Sequence, residues 1–411
     1  MTQAFDIAVV GAGMVGAALA TGLSRNGFRV ALIDFAGAPE FVPGSTPDIR
    51  VSALSAGSER YLQNLKAWDT VLAMRATPYR RLAVWDQSSH PLTRLLPKPL
   101  ARVEFNANKL GASHLGHIVE NSVTQAALWQ AATTQPNITL MPGVAVTNLI
   151  QNNNHAQLDL DNATAITATL VVGADGAQSR MRDLAGIGVT RSQYDQQAMV
   201  MSVRYRGAVE DITWQGFLPS GPRAFLPLHT AGEEFPGESW GSLVWYDAPA
   251  RLAQLKAMPI EQLMAEIQQE FPQQLPELTH IDTRASFPIA RQHAKHYYQG
   301  RVVLAGDAAH TINPLAGQGV NLGFQDAQCL QQLLIVARNN GTDLADPALL
   351  SQYENQRRPA NRRMMLAMDA FYHLFSNRVP PLHLLRNLGL GAAQALPFAR
   401  NRVARYAMGL D

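Results

Sequence analysis

Residues 5–35 read FDIAVVGAGMVGAALATGLSRNGFRVALIDF: an apolar run, a glycine turn, a helix-forming stretch and a second apolar run. Phe5 to Val10, apolar apart from Asp6, have the near-continuous hydrophobicity of a strand covered on both faces. Gly11, Gly13 and Gly16 follow at G-x-G-x-x-G spacing. The first permits a tight turn, the second lets backbone approach a pyrophosphate, and the third lets the helix lie close on the sheet. The pyrophosphate charges then sit at a helix N-terminus, where free N–H groups and the dipole favour them. Asp34 closes the second run, 18 residues after Gly16, where a carboxylate accepts from ribose hydroxyls. This predicts a Rossmann-like α/β unit that binds an adenine dinucleotide. FAD and NAD share the ADP half, so the stretch alone does not separate them.

The chain has 411 residues, 47% hydrophobic and 16% charged, a globular composition with material for two or three domains. A formal net charge of +2 offers no basis for a nucleic-acid partner. The single cysteine, Cys329, excludes an internal disulfide, fits a reducing, cytoplasmic setting and reads as helix core. The apolar N-terminus has no basic residue ahead of it and is broken by glycines, so it reads as strand and helix, not signal peptide. No run approaches ~18 uninterrupted apolar residues, so a membrane span is not expected.

Two further strand ends separate the cofactors. TLVVGADGAQSRMR (169–182) runs into Asp175 and Gly176, and GRVVLAGDAAHTINPLAGQGVNLGFQDA (300–327) runs into Gly306 and Asp307. A nicotinamide dehydrogenase needs only the first glycine motif; an isoalloxazine–ribityl arm needs a second anchor far along the chain. Asp307 is the candidate for the ribityl hydroxyls. Pro314, Gly317 and Gly319 then lead into a helix, small enough for backbone to lie against a flat ring. Gln318 and Asn321 supply further donors there, and the helix N-terminus faces a ring that becomes anionic on reduction.

These three motifs, in this order, resemble those of the single-component FAD aromatic hydroxylases related to para-hydroxybenzoate hydroxylase. The segments RVSALSAGSERYLQNLKAWD, GHIVENSVTQAALW, GPRAFLPL, AGIGV and FSNRVPPLHLLRNLGL narrow the resemblance to the ubiquinone-biosynthesis hydroxylases, end to end. The resemblance implies that Arg50 and Asn121 lie near FAD, and that Asp175, Gly176 and Arg182 contact FAD and NADPH. It implies hydroxylation of 2-polyprenyl-3-methyl-6-methoxy-1,4-benzoquinol by O2 through a flavin C4a-hydroperoxide, with NAD(P)H or a partner reductase as reductant. A second G-x-G-x-x-G for NADPH is lacking, as in that family. Alternatives are a different position on the same ring system, or a catalytically silent FAD-bearing scaffold of a biosynthetic complex.

The expected fold is α/β: a discontinuous FAD-binding domain over 1–75, 100–190 and 285–330, an interleaved antiparallel-sheet substrate domain over 76–99 and 191–284, and a helical region over 331–411. Phe225, Trp245 and Tyr246 are candidates for the substrate pocket. His310 reads as structural in preference to acid–base, and no His, Cys, Asp or Glu pair shows useful metal-ligand spacing, so no metal is expected. Residues 376–410 carry five arginines and no acid among leucines and alanines, a surface suited to anionic lipid and a membrane-derived substrate.

Overall fold

The computed structural model describes residues 3–87, 102–313 and 319–375. Three sheets organise it. The first holds β1 (Gln3–Val10), β2 (Val30–Asp34), β8 (Ile138–Pro142), β9 (Val146–Gln151), β10 (Ala156–Leu160), β11 (Ala165–Gly173), β17 (Tyr298–Gln299) and β18 (Val302–Leu304). Its main path is β17-β18-β11-β1-β2-β8, with β10 and β9 folded back on β11. From β18 to β8 the neighbours are parallel. The crossover order and apolar runs are those of a doubly wound sheet buried on both faces.

Helix α1 (Met14–Arg25) lies on this sheet between α4 (Asn121–Thr133) and α8 (Gly319–Asn339). The approach is close because α1 is lined with Gly16, Ala17, Ala18, Ala20 and Gly22. A Cβ on Gly22 would collide with the Gln331 side chain of α8.

The second sheet runs β19 (His310–Thr311), β16 (Leu278–Ala294), β12 (Val189–Arg206), β15 (Glu238–Asp247), β14 (Gly221–Thr230), β13 (Ile212–Leu218), β5 (Arg81–Asp86), β6 (Arg102–Asn106). Apart from β5 with β13, its neighbours are antiparallel. Helices α6 (Pro249–Ala257) and α7 (Ile260–Glu270) cover one face, burying Leu252, Leu255, Leu263 and Ile267 against Met199, Met201, Tyr205, Trp214 and Leu243. Each such side chain contributes about 1.5–3 kcal/mol on burial. The third sheet, β3 (Val51–Ser55), β7 (Gly116–Glu120) and β4 (Thr77–Tyr79), joins the two layers. Helices α2 (Ala56–Asn64), α3 (Trp68–Met74), α5 (Arg180–Leu184) and α9 (Pro347–Phe375) complete the described chain.

The α/β expectation of a Rossmann-like unit with an interleaved antiparallel sheet matches this architecture; its boundaries at 190, 285 and 331 fall inside continuous elements. β6 pairs with β5 in the large sheet, β12 and β16 each run through a boundary, and α8 crosses the last. The reason is long-range pairing: β12 and β16 run antiparallel from Val189 and Ala294 to Tyr205 and Leu278, with register shifts on the way. Among the described residues no helix is long and apolar enough to cross a membrane. The basic segment 376–410 lies outside the described residues.

Candidate cofactor and active site

Three strand ends lie side by side. Val10 of β1 pairs with Gly173 of β11, and Gly173 with Leu304 of β18. The loops that follow them, at Gly11, Asp175 and Asp307, therefore open at one edge of the sheet. Gly11 has φ +99°, and a Cβ there would collide with the Ala174 carbonyl. A Cβ on Gly16 would strike the Gly11 carbonyl. Gly13 differs: it is the N-cap of α1, and a Cβ there would meet nothing within 4 Å. No side chain caps this helix and its first turn has no acid, so its N–H groups face open space suited to a pyrophosphate.

Asp34 holds the glycine loop from one side. Its Oδ2 accepts from Ala12 N at 2.5 Å and its Oδ1 from Ala36 N at 2.8 Å, leaving lone pairs for ribose hydroxyls. From the other side, Gln125 Nε2 and Trp129 Nε1 of α4 donate to the Ala12 carbonyl at 3.1 and 2.8 Å. Sequence reasoning singled out Asn121 and missed these two, though they follow it at helical spacing on α4. Asn121 itself donates its N–H to Arg50 O at 2.9 Å and accepts from Ser52 Oγ at 2.7 Å, so both residues border one corner.

Ser179 caps α5, and Asp175 braces that turn by accepting from Ser179 Oγ at 2.5 Å and Met181 N at 2.9 Å, while Gly176 takes φ +81°. Arg182 is wholly buried, and burial lowers its pKa. Its Nη1 donates to Ala177 O and Ala308 O, both at 3.1 Å, so it braces the second loop to the third and reaches the trough through those carbonyls. Gln292 of β16, also missed by sequence reasoning, adds a parallel tie from Nε2 to Ala177 O at 2.6 Å and Asp307 O at 3.2 Å.

Gly306 has φ +61° and packs on Val15 of α1. The Asp307 side chain is accessible from the trough, yet protein crowds its other sides. That desolvation raises its carboxyl above the ordinary range; the charges of His310 and Arg50 oppose the rise and Asp326 adds to it. Arg50, an exposed residue, thus acts on Asp307 across 257 residues of sequence.

His310 is structural, as the sequence reading has it: its Nε2 meets Asp326 Oδ2 at 2.5 Å in full burial. Burial pushes the Asp326 carboxyl up, but His310, Arg357 and Asn361 outweigh this and bring it to about 2. Asn321 is likewise a brace. Its Oδ1 accepts from Ser55 N at 3.0 Å and Ser58 Oγ at 2.7 Å, and its Nδ2 donates to Ala53 O at 2.9 Å. Gly319 opens α8, and a Cβ there would meet nothing within 4 Å. Pro314, Gly317 and Gln318 lie outside the described residues.

Of the expected pocket residues, Phe225 and Trp245 require correction. Both lie fully buried in the core beneath α6 and α7, on the face turned away from the first sheet. Alternation along β14 and β15 puts Ala224, Leu226, Val244 and Tyr246 on the opposite face. There Leu226, Leu228 and Trp240 pack toward Val51, Ala53 and Ala56, beside Arg50. Tyr246 is buried with Phe217, Ile289 and Phe375. A period of two separates the faces of a strand but does not say which one a helix will cover. The sequence reading names no metal-ligand pair; in the structure Glu59, His114 and His117 converge, with ligand atoms all within 4.8 Å of one another.

Along one sheet edge the structure thus presents an uncapped helix N-terminus at Gly13 and an exposed Asp307, which suit an extended dinucleotide. The family model described as "FAD binding domain" matches residues 4–367. The chain belongs to the FAD binding domain family. It is an FAD-dependent monooxygenase. Among its relatives, the chain is 45% identical over 408 residues to the 3-demethoxyubiquinol 3-hydroxylase of Escherichia coli, covering 99% of each chain. It is 34% identical over 404 residues to the ubiquinone hydroxylase UbiL of Rhodospirillum rubrum, covering 98% of this chain and 89% of the relative. The p-nitrophenol 4-monooxygenase PnpA of Pseudomonas putida shares the fold, with a TM-score of 0.79 at 16% identity and 99% of each chain covered. The cradle at Gly13 and the three aligned strand ends fit the cofactor of this FAD binding domain family.

Proposed function

We propose that this chain hydroxylates the ring of 2-polyprenyl-3-methyl-6-methoxy-1,4-benzoquinol in ubiquinone biosynthesis. The observation that carries this reading is the end-to-end 45% identity to a demethoxyubiquinol hydroxylase, with 99% of both chains aligned. FAD, when bound, would supply the redox chemistry linking a nicotinamide or reductase electron source to O2, with one oxygen atom entering the ring and the other leaving as water.

The chain's own residues bind, orient and exclude water. The N-terminus of α1 at Gly13 holds the pyrophosphate, Asp34 the adenosine ribose and Asp307 the ribityl hydroxyls. Arg50 adds positive charge beside Asp307. Leu226, Ala224 and Val244 offer an apolar wall that suits a prenylated quinol and would keep the reacting centre dry. The basic segment 376–410 meets anionic lipid, from which such a substrate is drawn, with the enzyme at the inner face of the membrane or within a biosynthetic complex.

The test is a deletion of the gene followed by identification of the quinone precursor that accumulates. Accumulation of the 6-methoxy-3-methyl quinol, relieved by the wild-type gene, supports the proposal. Accumulation of an earlier phenol would move the enzyme to another ring position.

A further inference from the structure

We propose that Glu59, His114 and His117 form a binding site for a divalent transition-metal ion of the zinc class, separate from the FAD trough. Glu59 stands in the first turn of α2, whereas His114 and His117 flank the start of β7. His114 Nε2 lies 2.8 Å from Glu59 Oε2 and His117 Nδ1 lies 2.6 Å from Glu59 Oε1. The three ligand atoms fall within 4.8 Å of one another.

The donor set selects the ion. Two imidazoles and one carboxylate suit zinc or cobalt, whereas calcium and magnesium call for oxygen donors. Zinc bonds of about 2.0–2.2 Å place tetrahedral ligands roughly 3.3 Å apart, so an ion would widen the two His–Glu contacts by about half an ångström and draw the outermost ligand atoms, now within 4.8 Å, together. Glu59 and His117 are buried, but His114 is partly exposed and leaves a fourth position open to water. This is the three-ligand, one-open arrangement zinc adopts outside closed structural sites.

The rings are held in place from outside the cluster. Ser113 Oγ lies 2.8 Å from His114 Nδ1, on the ring nitrogen opposite Glu59, and so fixes the orientation of the imidazole. The His117 ring is set edge-on against Trp68 at 5.0 Å between centroids and against His114 at 4.5 Å. A carboxylate almost fully buried between two imidazoles needs a compensating positive charge, which the ion supplies without protonating either ring. The ion would clamp α2 to β7 at the helix whose Ser58 hydroxyl donates to Asn321 Oδ1.

The experiment uses the full-length, FAD-loaded protein, treated with chelator and then titrated with Zn2+ or Co2+. The expected result is one tightly held equivalent of zinc by elemental analysis. The cobalt form should show four-coordinate d–d bands to the red of flavin absorption, and the melting midpoint should rise with zinc. His114→Gln, at a partly exposed position, should remove all three, and Ser113→Ala should weaken zinc binding by about tenfold. Zinc content, cobalt spectrum and melting response equal in wild type and His114→Gln would overturn the proposal, leaving a hydrogen-bonded triad. None of these readouts depends on the quinol reading.

Discussion

Arg182 Nη1 donates to the carbonyl oxygen of Ala308 at 3.1 Å, joining loops that are 126 residues apart in sequence. A fully buried guanidinium in that position ties the Asp175 loop to the Asp307 loop and so sets the width of the trough. Its charge-assisted bonds contribute about 1.5–3 kcal/mol each before the desolvation of the buried charge is set against them. Arg182→Ala should therefore lower unfolding stability by on the order of 3 kcal/mol in urea titration and weaken FAD binding together with it. Arg182→Lys should restore only part of either, because its shorter side chain must bring an ammonium to the point from which Nη1 alone donates to both carbonyls. An Ala variant with wild-type stability would show that the brace is idle.

Gly11 and Gly13 should respond differently to the same methyl group. At Gly11 a Cβ meets the Ala174 carbonyl and φ is +99°, so Gly11→Ala should destabilise the protein with or without FAD. At Gly13 φ is −62° and a Cβ meets nothing, so Gly13→Ala should leave apoprotein stability within about 0.5 kcal/mol. It should nonetheless weaken FAD binding, since the added methyl fills the space the pyrophosphate takes. Calorimetry of the apoproteins and flavin titration separate the two. Equal melting losses in the apoproteins would remove the cradle.

Legibility followed the reach of each signal. The three strand–glycine–acid motifs are local in sequence and each carries its own turn chemistry, so Gly11, Asp175 and Asp307 could be placed at strand ends without coordinates. Their adjacency, β1 against β11 against β18, is long-range pairing that the parallel-sheet pattern implies. What stayed hidden depends on which elements meet. Phe225 and Trp245 looked like pocket residues because the strand pattern does not say that α6 and α7 cover their face. Gln292, Gln125 and Trp129 are ordinary residues until tertiary structure brings their donors to a loop carbonyl. His114 and His117 stand three residues apart, but Glu59 lies 55 residues before His114, so local spacing shows only part of their cluster.

Asp307→Ala should yield protein that purifies largely colourless. The carboxylate is accessible from the trough, and its hydrogen bonds to ribityl hydroxyls would contribute roughly 1.5–3 kcal/mol each, equivalent to about tenfold to a hundredfold in affinity. Asp307→Asn keeps the shape and part of the accepting capacity, so its FAD affinity should fall between the two. Flavin absorbance after gel filtration reads this directly, and full FAD retention in the Ala variant would displace the ribityl contact from Asp307.

His293 gives the protein an acid-side weakness away from the trough. Burial, with the positive charges of His310, Arg358 and Arg362, lowers its pKa to about 4, and Asp326 opposes this only in part. Its Nε2 lies 3.0 Å from Tyr297 OH, a contact that the neutral ring can make. Between the unfolded value of about 6.5 and the folded value, the unfolded chain takes up a proton that the folded chain refuses. The stability from keeping this ring neutral is complete above pH 6.5 and drains away as pH falls toward 4. Because the site is only half-buried, the loss should be on the order of 1–2 kcal/mol, less than the full shift implies. Urea unfolding from pH 7 to 4 measures the slope, and His293→Gln should flatten it over that window. An unchanged slope in the variant would assign the acid sensitivity to other groups.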